Sequence, residues 1–257
     1  MPRFKITIEY DGTGLVGWQR QDNGPSVQAA LEDAASAIIG HREDVLVQGA
    51  GRTDAGVHAL GQVAHLDMDR SFDEKKLPLA LNAHLPPSIR VLSAVLVDDD
   101  FHARFSAIGR SYRYRIQTRR VASAISRGFV WHVGQDLDQS AMEEAAERLI
   151  GKHDFTSFRA SYCQARSPIK TLDVLRFEAE EDGLALIAEA PSFLHHQVRN
   201  ITGTLVQVGL GKWTADDVSA ALAAKSRPAG GPTAPPEGLY LTTVTYPGYG
   251  DTPGGKI

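Results

Sequence analysis

The chain has 257 residues, of which 42% are hydrophobic and 23% are charged, as in an ordinary soluble globular protein without disorder bias. Its formal net charge of −4 argues against a nucleic-acid partner unless positive charge is concentrated locally. No apolar run approaches the length of a membrane-spanning helix, and the opening MPRFKITIEY lacks the apolar core of a signal peptide. We therefore expect a cytoplasmic protein with no membrane partner.

The first half of the chain predicts the order β-α-β-β-α-β. Apolar and polar residues alternate in FKITIEY, residues 4–10, as in a half-buried strand. A helix follows in SVQAALEDAASAIIG, with Ser26 as its N-cap and Gly40 at its end. A weaker helix is expected around 74–85, interrupted by Pro78. The strands that complete this half are VLVQGA, GQVAHLDMD and IRVLSAVLV.

The second half predicts the same order again, with one additional helix. SYRYRI is a strand, and DQSAMEEAAERLIG is a helix that Asp138 caps and Gly151 ends. A hairpin at Asp182-Gly183 joins two strands, TLDVLRFEAE and GLALIAEA. The remaining elements are an amphipathic helix in LHHQVRNITGTLVQVGLG, a helix in WTADDVSAALAAK with a capping box of Thr214 and Asp217, and a strand in LYLTTVTY.

This repeated order predicts an α+β protein. Each half is a split βαβ arrangement, which is ferredoxin-like. We expect the two halves to form a continuous, mainly antiparallel sheet with helices on one face and the functional site in the cleft between the halves. The N-terminal half is placed at residues 1–105 and the C-terminal half at residues 106–257.

The loop GRTDAG, residues 51–56, contains the first candidate functional side chains. Its glycines permit unusual backbone conformations and the close approach of a planar ligand, and loops between strands often display functional residues. Asp54 is therefore a candidate reagent, although an aspartate in such a turn can also simply close it with an Asx-type hydrogen bond. Arg52 is either a solvated charge or a contact to phosphate or base.

The histidines and the single cysteine give weaker signals. His58 follows Asp54 by four residues and could be a ligand or a base, but a histidine beside a strand is more often structural. His195 and His196 are adjacent on the predicted helix, so their side chains should diverge and make a poor chelating pair. Cys163 excludes an internal disulfide and a multi-thiolate site. We predict no metal site.

The segment GRSYRYRIQTRR concentrates positive charge, with five arginines and two tyrosines. On a strand, Tyr112 and Tyr114 point to one face, and Arg113 and Arg115 to the other. Such tyrosines can stack on nucleobases while the arginines meet phosphates. The alternative is that the tyrosines lie in the core and the arginines in water.

Arg199 lies on the predicted helix near His195 and off its apolar stripe. It either caps a surface carboxylate or balances a buried carboxylate that must stay ionised, a role suited to a bidentate guanidinium.

Several segments together resemble the TruA-type tRNA pseudouridine synthases. The first is GAGRTDAGVHALGQVAHLD, which contains Asp54. The others occur in the family's order and extend the resemblance over nearly the whole chain: YDGTGLVGWQRQ, NAHLPPSIRV, DDDFHARFSA, SYRYRI, DFTSFRA, FLHHQVRNITGTLVQVG and GPTAPPEGLYL.

The resemblance implies the pseudouridine synthase fold and an isomerase that converts uridine to pseudouridine at positions 38, 39 and 40 of the tRNA anticodon stem-loop. By position, Asp54 matches the catalytic aspartate, Tyr112 the tyrosine that stacks on the target base, and Arg199 the basic residue paired with the aspartate. Arg52 matches an arginine associated with the extruded nucleotide. The family implies a homodimer that binds one tRNA across both subunits and uses no cofactor.

The chemistry leaves the role of the acid open. Asp54 could attack C6 of the ring, attack C1′ of the ribose, or remove a ribose proton. Two rival functions also remain. One is a noncatalytic tRNA-binding protein or RNA chaperone, and the other is a metal-dependent phosphohydrolase that uses Asp54, His58 and His195.

Overall fold

A computed structural model describes residues 1–40, 45–68 and 72–248. The chain divides into two compact units. Unit 1 extends to Ile108 and resumes at Tyr240, and unit 2 comprises Gly109–Leu239. The division into an N-terminal half at residues 1–105 and a C-terminal half at residues 106–257 stays a prediction. The predicted strand LYLTTVTY, which the sequence assigned to the second half, lies in unit 1 except for Leu239. The expected strand end at Asp69 lies outside the described residues.

The described residues form eleven strands and five helices, together with three short 3₁₀ turns. In chain order, the strands and helices are β1 (Arg3–Tyr10), α1 (Val27–Ile38), β2 (Val47–Gly49), β3 (His58–Asp67), α2 (Leu77–Asn82), β4 (Ile89–Val97), β5 (Gly109–Gln117), β6 (Trp131–His132), α3 (Gln139–Glu147), β7 (Gly151–Asp154), β8 (Ile169–Leu172), β9 (Val174–Glu180), β10 (Gly183–Ala190), α4 (Gln197–Gly209), α5 (Ala215–Ala224) and β11 (Leu239–Thr245). The α+β class is confirmed, and no helix in the described ranges is long and apolar enough to cross a membrane.

Unit 1 has the predicted β-α-β-β-α-β order, with β11 added. β1 lies between β3 and β4 and is antiparallel to both. β2 is antiparallel to β3, and β11 is parallel to β3, with Tyr240 opposite His58. The expectation of a half-buried β1 is wrong, because Lys5 and Thr7 are buried as well as Phe4 and Ile6. The two edges of β1 are paired with β3 and β4, and most of its side chains are buried on both faces of the sheet.

The helix ends of unit 1 follow the local signals. The Ser26 hydroxyl accepts a hydrogen bond from the Ala29 N–H at 3.3 Å, and Gly40 adopts φ +79° directly after the helix. The predicted interruption at Pro78 is wrong, because α2 is short and Pro78 lies in its first turn. Proline is favoured there, since its missing N–H would have no partner within the helix.

In unit 2, β10 lies between β5 and β9 and is antiparallel to both, while β6 is parallel to β5. β7 and β8 form a separate antiparallel pair. The expected single strand TLDVLRFEAE is broken at Asp173, whose N–H donates to the Glu189 carbonyl. The expected helix end at Gly151 is also wrong: α3 ends at Glu147, and Gly151 begins β7 with φ +101°.

The longest helix, α4, departs most from its prediction. It begins at Gln197, three residues later than expected, and nearly all of its residues are buried. The predicted apolar stripe is present, since Val198, Ile201 and Leu205 are buried. However, Asn200, Thr202 and Thr204 are buried as well, so α4 is a central helix rather than an amphipathic helix at the surface.

Candidate functional site

The loop that carries Asp54 joins β2 to β3 in unit 1, and main-chain hydrogen bonds hold it from both sides. The Trp18 N–H donates to the Thr53 carbonyl at 3.1 Å, and the Gly56 N–H donates to the Leu15 carbonyl at 3.3 Å. The turn itself is closed by the Val57 N–H, which donates to the Asp54 carbonyl at 3.2 Å. This closure uses the main chain.

Glycine 17 allows the segment around Trp18 to lie directly against this loop. It adopts φ +107°, and a Cβ at this position would lie 2.5 Å from the Thr53 carbonyl oxygen. Any side chain would therefore push the two backbones apart and shift Asp54, which immediately follows Thr53. The two motifs YDGTGLVGWQRQ and GRTDAG thus form one packed structure.

Side chains fix the loop further on either side of Asp54. Thr53 is buried, and its hydroxyl lies 2.7 Å from the Tyr10 hydroxyl. The Gln62 amide donates to the Gly51 carbonyl at 3.0 Å. Asp54 itself is half-buried and Arg52 is exposed. The acid is consequently presented from a rigid support, which is what precise positioning of a reacting group requires.

The contacts of His58 indicate a structural role. It is 1% exposed, its Nδ1 accepts the Gly12 N–H at 3.0 Å, and its ring stacks on Tyr240 with centroids 4.9 Å apart. These contacts fix the start of β3 and account for the histidine without a catalytic role.

The two tyrosines of β5 in unit 2 differ in burial. Tyr114 is completely buried, whereas Tyr112 is half-buried and packs edge-on against Phe193, with ring centroids 5.1 Å apart. Tyr112 is therefore the tyrosine of this strand that is partly accessible. The expected alternation is confirmed, but the two residues cannot share one function.

Arg113 and Arg115 of β5 are engaged by carboxylates on β9, beyond the intervening strand β10. Arg113 pairs with Glu178 at 2.8 Å and with Glu180 at 2.7 Å, and Arg115 pairs with Glu180 at 3.0 Å. Glu178 also pairs with Arg176. Three arginines therefore share two carboxylates within unit 2, and phosphate contacts by Arg113 and Arg115 stay a prediction. The alternative, with the tyrosines in the core and the arginines in water, holds for Tyr114 but not for the two ion-paired arginines.

His195 and His196 lie in the turn before α4 and not on the helix. Their ring centroids are 4.1 Å apart, and His196 adopts φ +62°, which is uncommon outside glycine. The expectation that the two side chains diverge around a helix is wrong because the helix begins only at Gln197. Because the argument from diverging side chains fails, the sequence-based expectation of no metal site is untested and stays a prediction.

Arg199 lies in the first turn of α4 and is bound twice to one residue of the segment before β11. The Arg199 carbonyl accepts the Ala234 N–H at 3.0 Å, and its Nε donates to the Ala234 carbonyl at 2.8 Å. Arg199 is half-buried. It is therefore not a freely solvated surface charge.

Comparison with known proteins identifies the class to which this fold and these loops belong. The family model described as tRNA pseudouridine synthase matches residues 6–106 and 145–247. The chain is 58% identical over 247 residues to tRNA pseudouridine synthase A of Rhodopseudomonas palustris strain BisA53, covering 96% of this chain and 100% of that protein. It is 57% identical to the Rhodospirillum centenum protein of that name, with the same coverage. It is 58% identical to the Nitrobacter winogradskyi protein, covering 96% and 97% of the two chains.

The chain belongs to the tRNA pseudouridine synthase family. It is thus an isomerase of uridine in tRNA, and the resemblance noted in its sequence is confirmed together with the pseudouridine synthase fold.

No role was predicted for the segment GPTAPPEG, residues 231–238, although it belongs to the resemblance. In the structure this segment contacts both Arg199 of α4 and Tyr114 of β5. Its density of proline and glycine indicates a fixed, closely packed loop, but its partners are distant in sequence.

Proposed function

We propose that this isomerase modifies uridines 38, 39 and 40 of the tRNA anticodon stem-loop, with Asp54 as its catalytic residue. The observation that carries the proposal is the loop itself: Asp54 is half-buried in a turn that main-chain bonds hold rigid. The motif around Asp54 resembles the catalytic segment of the family, and the stem-loop positions follow from that resemblance.

The reaction requires a nucleophile or a proton acceptor that acts on a uridine removed from the stack of neighbouring nucleobases. The bond between N1 of uracil and C1′ of ribose breaks, and a bond between C5 and C1′ forms. C5 then loses its proton, and N1 gains one, so the product is an isomer of the substrate. An ionised Asp54 starts this sequence at C6, at C1′ or at a ribose C–H, and it is regenerated at the end.

The other site residues act either on the extruded nucleotide or on the catalytic carboxylate. Tyr112 stacks on the uracil ring, which keeps the detached base in place while it turns. Arg199 balances the negative charge of the catalytic carboxylate in a desolvated environment. Arg52 contacts the phosphate backbone or the extruded nucleotide. Removing the nucleotide from its stack costs a few kcal/mol, which contacts with the base and the phosphates offset.

We propose further that the enzyme is a cytoplasmic homodimer in which one tRNA contacts both subunits, and that it needs neither a metal nor an organic cofactor. These statements rest on the resemblance. Isomerisation that is undiminished in EDTA would support a metal-free reaction, and loss of activity restored by a divalent cation would contradict it.

The positions are tested by mapping pseudouridine in tRNA before and after treatment with the purified enzyme. The substrates are unmodified transcripts with uridine at 38, 39 and 40, and matched transcripts with cytidine at those positions. We expect modification only in the first set and only at those positions. Modification elsewhere in the tRNA, or equal modification of the cytidine-substituted set, would refute the assignment.

A further inference from the structure

The segment GPTAPPEG, called here the 231–238 loop, lies directly on the backbone of α4. A Cβ on Gly203 would clash with the Pro232 carbonyl, and a Cβ on Gly231 would lie 2.7 Å from Thr204 Cα. The Gly231 N–H donates to the Thr204 hydroxyl at 3.0 Å, and the Thr233 hydroxyl donates to the Asn200 side-chain oxygen at 2.6 Å. The loop is therefore fixed along more than one turn of the helix.

Arg199 takes part in the same contact through its side chain. The guanidinium Nε donates to the Ala234 carbonyl, and Ala234 is 1% exposed. This bond uses one of the five donor N–H groups of the arginine. Because the guanidinium is planar, fixing Nε also fixes the plane and direction of the two terminal nitrogens.

The next carbonyl of the loop is held from β5. The Tyr114 hydroxyl donates to the Pro235 carbonyl at 2.7 Å, and the tyrosine is 0% exposed. Burial raises the pKa of this phenol well above its usual value, with a further contribution from Glu237 that Arg199 opposes, so the hydroxyl stays protonated. A Cβ on Gly238 would lie 2.7 Å from the Tyr114 ring, so the loop also follows the shape of this side chain.

We propose that Tyr114 is a positioning residue for the isomerase reaction, which fixes the orientation of the Arg199 guanidinium through the consecutive carbonyls of Pro235 and Ala234. Pro235 has a restricted φ, and Pro236 restricts the ψ of residue 235, so displacement of the Pro235 carbonyl is transmitted to Ala234 rather than absorbed between them. The inference rests on the proposed role of Arg199. It assigns the second tyrosine of SYRYRI to the support of the site and leaves Tyr112 as the residue that touches the base.

The test compares variants that each lose one buried hydroxyl. Tyr114→Phe frees the Pro235 carbonyl. Thr204→Val removes the hydroxyl that accepts the Gly231 N–H. The control is Thr202→Val on the same helix, because the Thr202 hydroxyl is also 0% exposed but donates to the Val198 carbonyl within α4, at 2.8 Å. For each protein, the free energy of unfolding, the Kd for tRNA and the single-turnover rate at saturating tRNA are measured.

We expect Tyr114→Phe to reduce the single-turnover rate about 10- to 100-fold, in the range found for small misplacements of reacting groups, while the Kd changes less than about twofold. Thr204→Val should reduce the rate in the same direction but less. Thr202→Val should lose comparable stability and keep the wild-type rate.

The inference is overturned if the rate of Tyr114→Phe stays within twofold of the control at saturating tRNA, whatever its stability and whatever the rate of Thr204→Val. Should Tyr114→Phe not fold, Thr204→Val decides by itself. Failure of the proposed function is distinguishable, because it would appear in the wild-type enzyme and in Asp54→Asn, neither of which alters the 231–238 loop.

Discussion

The Asp54 loop of unit 1 and the Arg199 turn of unit 2 are both rigid, but different interactions fix them. Around Asp54 the support is mainly backbone against backbone, made possible where Gly17 has no side chain. Around Arg199 the support is a set of hydrogen bonds to the 231–238 loop. Adding one methyl group should therefore disrupt the first support, whereas removing single hydroxyls should weaken the second by degrees.

Among changes that leave the proposed site residues themselves intact, the largest effect should come from Gly17→Ala. The added Cβ would lie 2.5 Å from the Thr53 carbonyl oxygen, so the Asp54 loop must shift. A displacement of the order of 1 Å costs about 100-fold or more in rate. We expect a loss of this size in the rate of pseudouridine formation, measured on unmodified tRNA at saturating concentration.

Gly14→Ala is the matched control for this prediction. Gly14 also has a positive φ, +76°, but a Cβ there meets nothing within 4 Å. In both variants an alanine must adopt a positive φ, which costs about 1–2 kcal/mol of stability for a left-handed alanine. If the two variants lose equal activity, backbone strain and not displacement of the Asp54 loop is responsible.

Replacement of Tyr112 should have an intermediate effect. Stacking of a base on an aromatic ring is worth about 1–3 kcal/mol, so Tyr112→Ala should reduce kcat/KM about 5- to 150-fold. Tyr112→Phe keeps the ring and should stay within about threefold of the wild type. Equal damage from both replacements would mean that the hydroxyl, and not the ring, carries the function of Tyr112.

The smallest effect concerns the arginines. Arg52 is exposed beside Asp54, and Arg52→Gln should flatten the dependence of log Kd for tRNA on log salt concentration by about one unit of slope. Arg113→Gln should leave that slope unchanged, because the Arg113 guanidinium is already held by Glu178 and Glu180 within unit 2. A flatter slope for Arg113→Gln would show that this ion-pair group opens to bind phosphate.

Much of unit 1 could be predicted because its signals are local. The Ser26 cap and the glycines around Asp54 each act within a few residues of the chain. The same holds for the capping box of Thr214 and Asp217 in unit 2, which is confirmed. The alternation in β1 placed the strand correctly but not its burial on both faces. The roles of the individual site residues came from the resemblance and stay predictions.

The predictions that failed depended on contacts distant in sequence. The 3.6-residue periodicity of α4 indicated one buried face, but the 231–238 loop also covers the polar side around Asn200 and Thr204. The break at Asp173 falls where the partner strand changes, because β8 pairs with β7 and β9 pairs with β10. The ion pairs of Arg113 are made with glutamates that lie 65 and 67 residues away in the sequence. No local pattern encodes such partners.

The central claim is that the Asp54 carboxylate is the reagent. Asp54→Asn keeps nearly the same shape and removes the charge and the nucleophile, so its effect on chemistry can be separated from its effect on binding. The direct measurement is single-turnover pseudouridine formation by this variant, at tRNA concentrations where a binding assay shows it to be saturated. We predict no detectable product, with a Kd within about threefold of the wild type. Product formation by the saturated variant at a rate near that of the wild type would contradict the account.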